Sequence, residues 1–326
     1  MTATTTDTTT ATAPARRFNE LPGQTDSTGV TERDKYFFDL NGFLILKGAI
    51  DKDHLGEINA KLDEFLAMDP PLKPNEWIGG VHGHNYTGNE GLNLQQIYEA
   101  GEPFERLIDH PAWIEKAKHF VGGQDNFDAQ HGPLFIDENF ASIRGPGEAI
   151  GMHSGGDKLV KRCQFRYENG QFSCGQINAL MAFKEVGPGD GATMVIPGSH
   201  KAHFEHPQLK WASMQGGKSS MDEVEGAVEA HLEPGDVLLF VDAIMHGSAA
   251  RVNEGQRRIA VYRYGPSWGM FRSGYRPSQE LLDRLTTERR AIVWPHEAMK
   301  REPNRIAGYP NPPGAIDPSE KAGHGD

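Results

Sequence analysis

Cysteine is nearly absent from this chain: Cys163 and Cys174 are the only two in 326 residues. Two thiols cannot build a disulfide framework, and their separation of eleven positions matches no zinc-binding pattern, so both are expected to be small core residues. Long apolar runs are missing as well. Nothing approaches the roughly 18 consecutive apolar residues of a membrane helix, which excludes a membrane-spanning reading. Positive charge is in deficit, with 33 Lys and Arg against 45 Asp and Glu and a net charge of −12. A nucleic-acid polymer calls for a basic face, so no such partner is expected. The first residues, Met1-Thr-Ala-Thr-Thr-Thr-Asp, lack the basic and apolar regions of a secretory signal, and a cytoplasmic protein is expected.

What is present is ordinary for a globular protein, with 37% apolar and 24% charged residues in a length that buries an ample core. Residues 1–20 are Thr- and Ala-rich and are expected to be disordered. Residues 21–300 read as one domain, and 301–326 as an irregular, Pro-rich tail. Thr31 is placed to cap a short helix, Gly42 to Gly48 bound a buried strand, and Asp51 caps a helix whose Leu55, Ile58, Leu62, Phe65 and Leu66 share one face. Residues 69–110 read as loop-rich, and a helix is expected over 111–121 with Pro111 in its first turn. From Pro133 the texture changes to short strands between Gly and Pro turns: 134–136, 175–183, 192–196, 236–241 and 258–264. Strands at such intervals predict a mainly β fold with flanking helices, built on a sandwich or barrel that includes the cupin-like jelly rolls, with a core at about 133–265. A return to helix is expected over 277–290.

Three stretches carry chemistry. Gly151-Met-His-Ser-Gly-Gly-Asp157 puts a histidine at a strand end entering a glycine turn. Gly189 to His200 reads as turn, strand and turn. Asp242-Ala-Ile-Met-His-Gly-Ser248 is followed by Arg257. In order, "PGDGATMVIPGSHK", "PGDVLLFVDAIMHGS" and "RRIAVYRY" resemble the phytanoyl-CoA dioxygenase family over about residues 35–270. The resemblance implies a double-stranded β-helix (jelly roll) and an Fe(II)- and 2-oxoglutarate-dependent oxygenase using O2. It implies His153 and His246 as metal ligands, Arg257 as the clamp for the 2-oxoglutarate carboxylate and Ser248 as its helper. Neutral imidazoles suit Fe(II), and a guanidinium fork grips a carboxylate through two parallel hydrogen bonds. Arg258 competes with Arg257; strand alternation turns only one of them inward, and the spacing favours Arg257. His200 is given a structural role. A rival motif, Val81-His-Gly-His to Glu90, resembles a simple cupin pattern but lacks flanking strand texture, and it reads as a loop over the site mouth.

The family's usual third ligand is an acid two residues after the first histidine, and here that position is Gly155. Halogenases of the iron and 2-oxoglutarate type show the same departure, with halide in the gap. The resemblance therefore favours chlorination of an aliphatic C–H bond, with chloride as a further cofactor. Three alternatives stay open: Asp157 curling back through the glycine turn to ligate, hydroxylation with water in the open position, and a non-catalytic binding module. Basic residues gather around the motifs in an otherwise acidic chain. Lys158, Lys161, Arg162 and Arg166 follow the first histidine, while Arg263, Arg272 and Arg276 follow the clamp strand, interleaved with Tyr264, Trp268 and Phe271. Such a concentration predicts a small anionic substrate, with a stacked nucleotide monophosphate as the leading form and Lys158, Arg162, Arg166, Arg263 and Trp268 as its binding residues. The opposing reading pairs these cations with surface acids.

Overall fold

The computed structural model describes residues 23–84, 91–122, 132–155, 160–208, 224–272 and 276–295. The tails expected at 1–20 and 301–326 lie outside the described residues, as do Asp157 and Lys158. The strands are β1 Gln24–Thr25, β2 Phe43–Leu46, β3 Trp77–Ile78, β4 Val81–His84, β5 Leu92–Gln95, β6 Leu134–Arg144, β7 Ile150–His153, β8 Tyr167–Glu168, β9 Gln171–Phe172, β10 Ile177–Ala182, β11 Thr193–Val195, β12 Val228–Ala230, β13 Val237–Val241, β14 His246–Ser248 and β15 Arg257–Pro266. They assemble into a nine-stranded sheet in the order β1-β2-β13-β10-β15-β6-β5-β4-β3, a four-stranded sheet in the order β12-β11-β14-β7, and the β8-β9 hairpin. The expectation of a mainly β jelly roll with flanking helices holds.

The lead-in forms for the reasons its sequence suggests. Thr31 accepts from the Asp34 amide while the Asp34 carboxylate accepts from the Thr31 amide, a capping box that starts the helix Glu32–Asn41. Gly42 ends it with φ 83°, and a Cβ there would meet the His200 ring at 2.5 Å. That contact explains the glycine and gives His200 the structural place expected of it, with Nε2 also 3.1 Å from the Asp39 carbonyl. Asp51 caps the helix Lys52–Leu66, which buries Leu55, Ile58, Leu62 and Phe65 but leaves Leu66 exposed.

Four expectations need correcting. The loop-rich segment 69–110 contains β3, β4 and β5, which extend the large sheet beyond β6. Of the rival motif from Val81 to Glu90, Val81–His84 is accordingly an edge-side strand and not a loop, and the rest lies outside the described residues. The helix expected from Pro111 starts only at Ile114. The 277–290 helix is two short ones, Gln279–Arg284 and Thr287–Val293. Cys174 is buried as expected and Cys163 is half-buried; both are free thiols.

The long pairing of β15 with β6 organises the molecule. Alternate residues of β15 point to opposite faces. On the outer face Arg258 pairs with Asp63 at 2.6 Å, Tyr262 donates to the Phe104 carbonyl at 2.8 Å, and Tyr264 Oη accepts from Trp113 Nε1 at 2.9 Å. These contacts fasten the helical layer to the sheet. On the inner face Arg257, Ile259, Val261 and Arg263 line the cavity between the two sheets. Among the described residues no helix is long and apolar enough to cross a membrane.

Candidate active site

Register brings the two histidines together. His246 on β14 pairs directly with His153 on the neighbouring β7, and the two ring centroids are 4.1 Å apart at 55°. Each ring is held in the same way. His153 Nδ1 lies 3.1 Å from the Gly151 carbonyl and His246 Nδ1 2.8 Å from the Ile244 carbonyl, each two residues back. A carbonyl only accepts, so each Nδ1 carries the proton and each Nε2 presents a lone pair. Burial disfavours the imidazolium form of both: His153 is pushed down, and His246 is pulled to about 3 by burial and then by the neighbouring His153. At neutral pH the pair is two oriented, neutral nitrogen donors, the form a divalent transition metal takes.

No third protein donor joins the pair among the described residues, and Asp157 lies outside them. Among the described residues no group of three His, Cys, Asp or Glu is arranged to hold a metal. Gly155 sits at φ 65° after Ser154 at φ 63°, and its amide donates to the Ala243 carbonyl at 2.9 Å. A Cβ at 155 would lie 2.6 Å from Met245 Cβ and 3.1 Å from Met245 Cα. The close approach of the strand leading into His246 thus demands glycine here, and this backbone cannot present an acid from position 155.

The opposite end of the inner face carries two buried cations side by side. Arg257 lies directly across from Arg144 in the β15-β6 register, and both side chains are buried. Like charges opposite one another on a buried sheet face are destabilising. Among the described residues no carboxylate pairs with Arg257, which donates to the Gly191 carbonyl. Burial, followed by the charges of Arg144 and Arg251, pulls the Arg257 guanidinium down to about 9. Arg144 Nη1 donates to Ser248 Oγ at 3.0 Å, so Ser248, two residues past His246, ties the cationic end to the histidine strand. Sequence reasoning missed Arg144, because a cross-strand partner depends on register and leaves no local signature.

A third group surrounds Asp242. This buried carboxylate accepts from Asn178 Nδ2 at 3.1 Å and pairs with Arg162 at 2.9 Å; Arg272 and Arg263 lie 3.7 and 4.0 Å away. Burial works against its charge, but Arg263, His246, Arg272 and Arg162 outweigh it and hold the carboxyl well below the usual range. Glu138 stands across from Arg263 in register and lies 3.4 Å from it and 3.2 Å from Arg272. Of the residues expected to bind substrate, Arg162 and Arg263 line the cavity, together with Arg272. Arg166 does not: it is exposed beside the β8-β9 hairpin. Trp268 is also off the cavity wall, 56% exposed and edge-on to Phe271. Tyr264 faces the helices. The cavity holds about 260 Å³, which suits a small molecule.

A model of the phytanoyl-CoA dioxygenase family (PhyH) matches residues 38–259. The dioxygenase cdmD of Talaromyces verruculosus is 34% identical over 249 residues, covering 73% of each chain. The peroxisomal phytanoyl-CoA dioxygenase of Rattus norvegicus is 23% identical over 291 residues, 84% of this chain and 81% of that one. Among solved structures, HygX from Streptomyces hygroscopicus with nickel and 2-oxoglutarate bound has a TM-score of 0.60 at 21% identity, covering 79% of this chain and 95% of that one.

Proposed function

Because the chain belongs to the phytanoyl-CoA dioxygenase family of Fe(II)- and 2-oxoglutarate-dependent oxygenases, we propose that it oxidises an unactivated C–H bond of a small anionic molecule at the His153–His246 pair. The observation that carries the reading is the buried Arg257, opposed by Arg144 and lacking a carboxylate partner among the described residues. An anion is what this arrangement lacks, and the distal carboxylate of 2-oxoglutarate supplies it with fork geometry to match. The two Nε2 atoms would hold Fe(II), and Ser248, oriented by Arg144, would share in holding the co-substrate. The chemistry such a metal supplies when bound is the coupling of O2 reduction to the decarboxylation of 2-oxoglutarate to succinate and to oxidation of the substrate carbon.

The protein's own part is binding and exclusion. Arg257 fixes one end of 2-oxoglutarate. Ile259 and Val261 form the apolar wall between Arg257 and Arg263, against which methylene groups pack and from which water is excluded. Neutral, pre-oriented imidazoles require no proton release when the metal enters. In the hydroxylating reaction R–H, O2 and 2-oxoglutarate become R–OH, succinate and CO2.

A second reading rests on Gly155. With no acid at that position, a halide beside the metal would turn R–H, O2, 2-oxoglutarate, Cl⁻ and H⁺ into R–Cl, succinate, CO2 and water. Mass spectrometry of products formed with and without chloride separates the two: a chlorine isotope pattern supports the halide, and a gain of one oxygen supports hydroxylation. The shared reading is tested by titrating 2-oxoglutarate into the Ni(II)-loaded protein. Arg257→Gln is expected to weaken binding by about 2–5 kcal/mol, roughly 30-fold or more, since it leaves a buried carboxylate unpaired. Unchanged affinity would contradict the clamp.

A further inference from the structure

The inner face of β15 carries a cation at each end, six residues apart. At about 3.3 Å per residue Arg257 and Arg263 are separated by roughly 20 Å along the strand. The three-residue histidine strand β14 faces the stretch between them. Its Ser248 end touches Arg144, beside Arg257. Its His246 end packs edge-on against Phe240 at 5.0 Å, and Phe240 lies in one register row with Asn178, Arg263 and Glu138. The metal-binding pair therefore sits near the Arg263 end. With 2-oxoglutarate reaching from Arg257 to the metal, the guanidinium groups beyond the metal remain for another ligand.

Those groups are Arg162, Arg263 and Arg272, all facing the cavity. They come from three separate parts of the chain: the turn Lys161–Cys163, strand β15, and the segment after it. Three carboxylates, Asp242, Glu138 and Asp137, stand around them. None appears on the cavity wall. The acids meet the cations from behind, and it is the guanidinium groups that the arrangement turns inward. Asp242 is 1% exposed, whereas the side chains of Arg162 and Arg272 are 27% and 26% exposed. The acids thus act from behind as tethers that fix three donor forks toward the cavity, as in sites built to grip an oxyanion.

Resting on the oxygenase reading above, we propose that Arg162, Arg263 and Arg272, held by Asp242, form a substrate subsite for an oxyanion, a phosphate monoester or a carboxylate, on the far side of the metal from the 2-oxoglutarate clamp. The charge recognises one end of the substrate and sets which carbon reaches the metal. Asp242 is a positioning residue here, since it faces the guanidinium groups and not the cavity.

The test uses the full chain loaded with Ni(II), which prevents turnover, and saturated with 2-oxoglutarate. Phenyl phosphate, phenylacetate and benzyl alcohol are titrated calorimetrically at low and high salt. At least one anionic probe is expected to bind, more weakly at high salt, and benzyl alcohol to bind at least tenfold more weakly. Preference for phenyl phosphate or for phenylacetate identifies which oxyanion the subsite takes. Arg162→Gln, the most exposed of the three, is expected to lower anion affinity tenfold or more. Arg166→Gln, outside the cavity, leaves it unchanged. Arg272→Gln provides a second variant should Arg162→Gln fail to fold. Absence of anion binding, equal binding of benzyl alcohol, or anion affinity within twofold of wild type in both cavity variants would overturn the subsite. Failure of the loaded wild-type protein to bind 2-oxoglutarate at all would instead overturn the oxygenase reading.

Discussion

At the scale of single residues, the position of greatest consequence is Gly155. The sequence shows a glycine where an acid is usual, and chemistry alone reads that as a vacancy at the metal. The structure adds a packing reason: Met245 occupies the space a Cβ would take. Gly155→Asp is therefore expected to lower the melting temperature and to disturb His153, two residues away, without supplying a working ligand. Thermal denaturation together with metal stoichiometry checks this; a variant of unchanged stability that binds metal more tightly would show that the backbone can open. Arg257 was singled out by the family resemblance and its spacing; alternation said only that one of two adjacent arginines turns inward, and the structure turns Arg258 out to Asp63. Arg144, Glu138 and Asp242 were not given roles from the sequence, since their meaning comes from register and from side chains distant along the chain. Arg166 and Trp268 misled for the same reason: nearness in sequence to a motif does not decide which way a side chain faces.

At the scale of elements, the site depends on how the helical layer is pinned to the large sheet. Lys116, on the helix Ile114–Val121, is wholly buried against Asp34 of the helix Glu32–Asn41 at 3.1 Å, and it also donates to Ser27 Oγ at 3.0 Å and to the Gly29 carbonyl. Burial works against the Asp34 charge, while Thr31 and Lys116 hold its carboxyl below the usual value. Replacing Lys116 with Met strands that carboxylate and is expected to cost about 3–5 kcal/mol. Denaturant unfolding measures it; a loss below about 1 kcal/mol would mean that the pair contributes little. The lead-in helix, strand and helix were readable because capping residues and apolar spacing are local signals. Strands β3, β4 and β5 were not, being two to four residues long and so too short to show a period. Their pairing is imposed by the edge that β6 offers.

At the scale of the whole molecule, buried neutral histidines tie stability to pH. Burial, opposed in part by the Asp39 carbonyl, lowers His200 to about 4 from an ordinary value near 6.5. The unfolded chain takes up this proton first, so the stability His200 allows is complete above about pH 6.5 and is lost as the pH falls toward 4. The loss is at most about 3.5 kcal/mol, from about 1.4 kcal/mol per pH unit. Wild type is expected to lose more stability than His200→Gln between pH 6.5 and 4, and parallel pH profiles from chemical denaturation would contradict that. The jelly roll itself was legible from the alternation of short strands and turns after Pro133, whereas the cross-strand partners of the two cavity arginines, Arg144 for Arg257 and Glu138 for Arg263, emerged only when β6 and β15 were set in register.

The proposed chemistry turns on the His153–His246 pair carrying a metal that consumes 2-oxoglutarate. The direct measurement is O2-dependent succinate release by the Fe(II)-loaded full chain, compared with the variants His153→Ala and His246→Ala, each with its bound iron quantified. Succinate is expected from the wild-type protein and none above background from either variant, with iron binding reduced in both. Succinate release at the wild-type rate from either variant would contradict it.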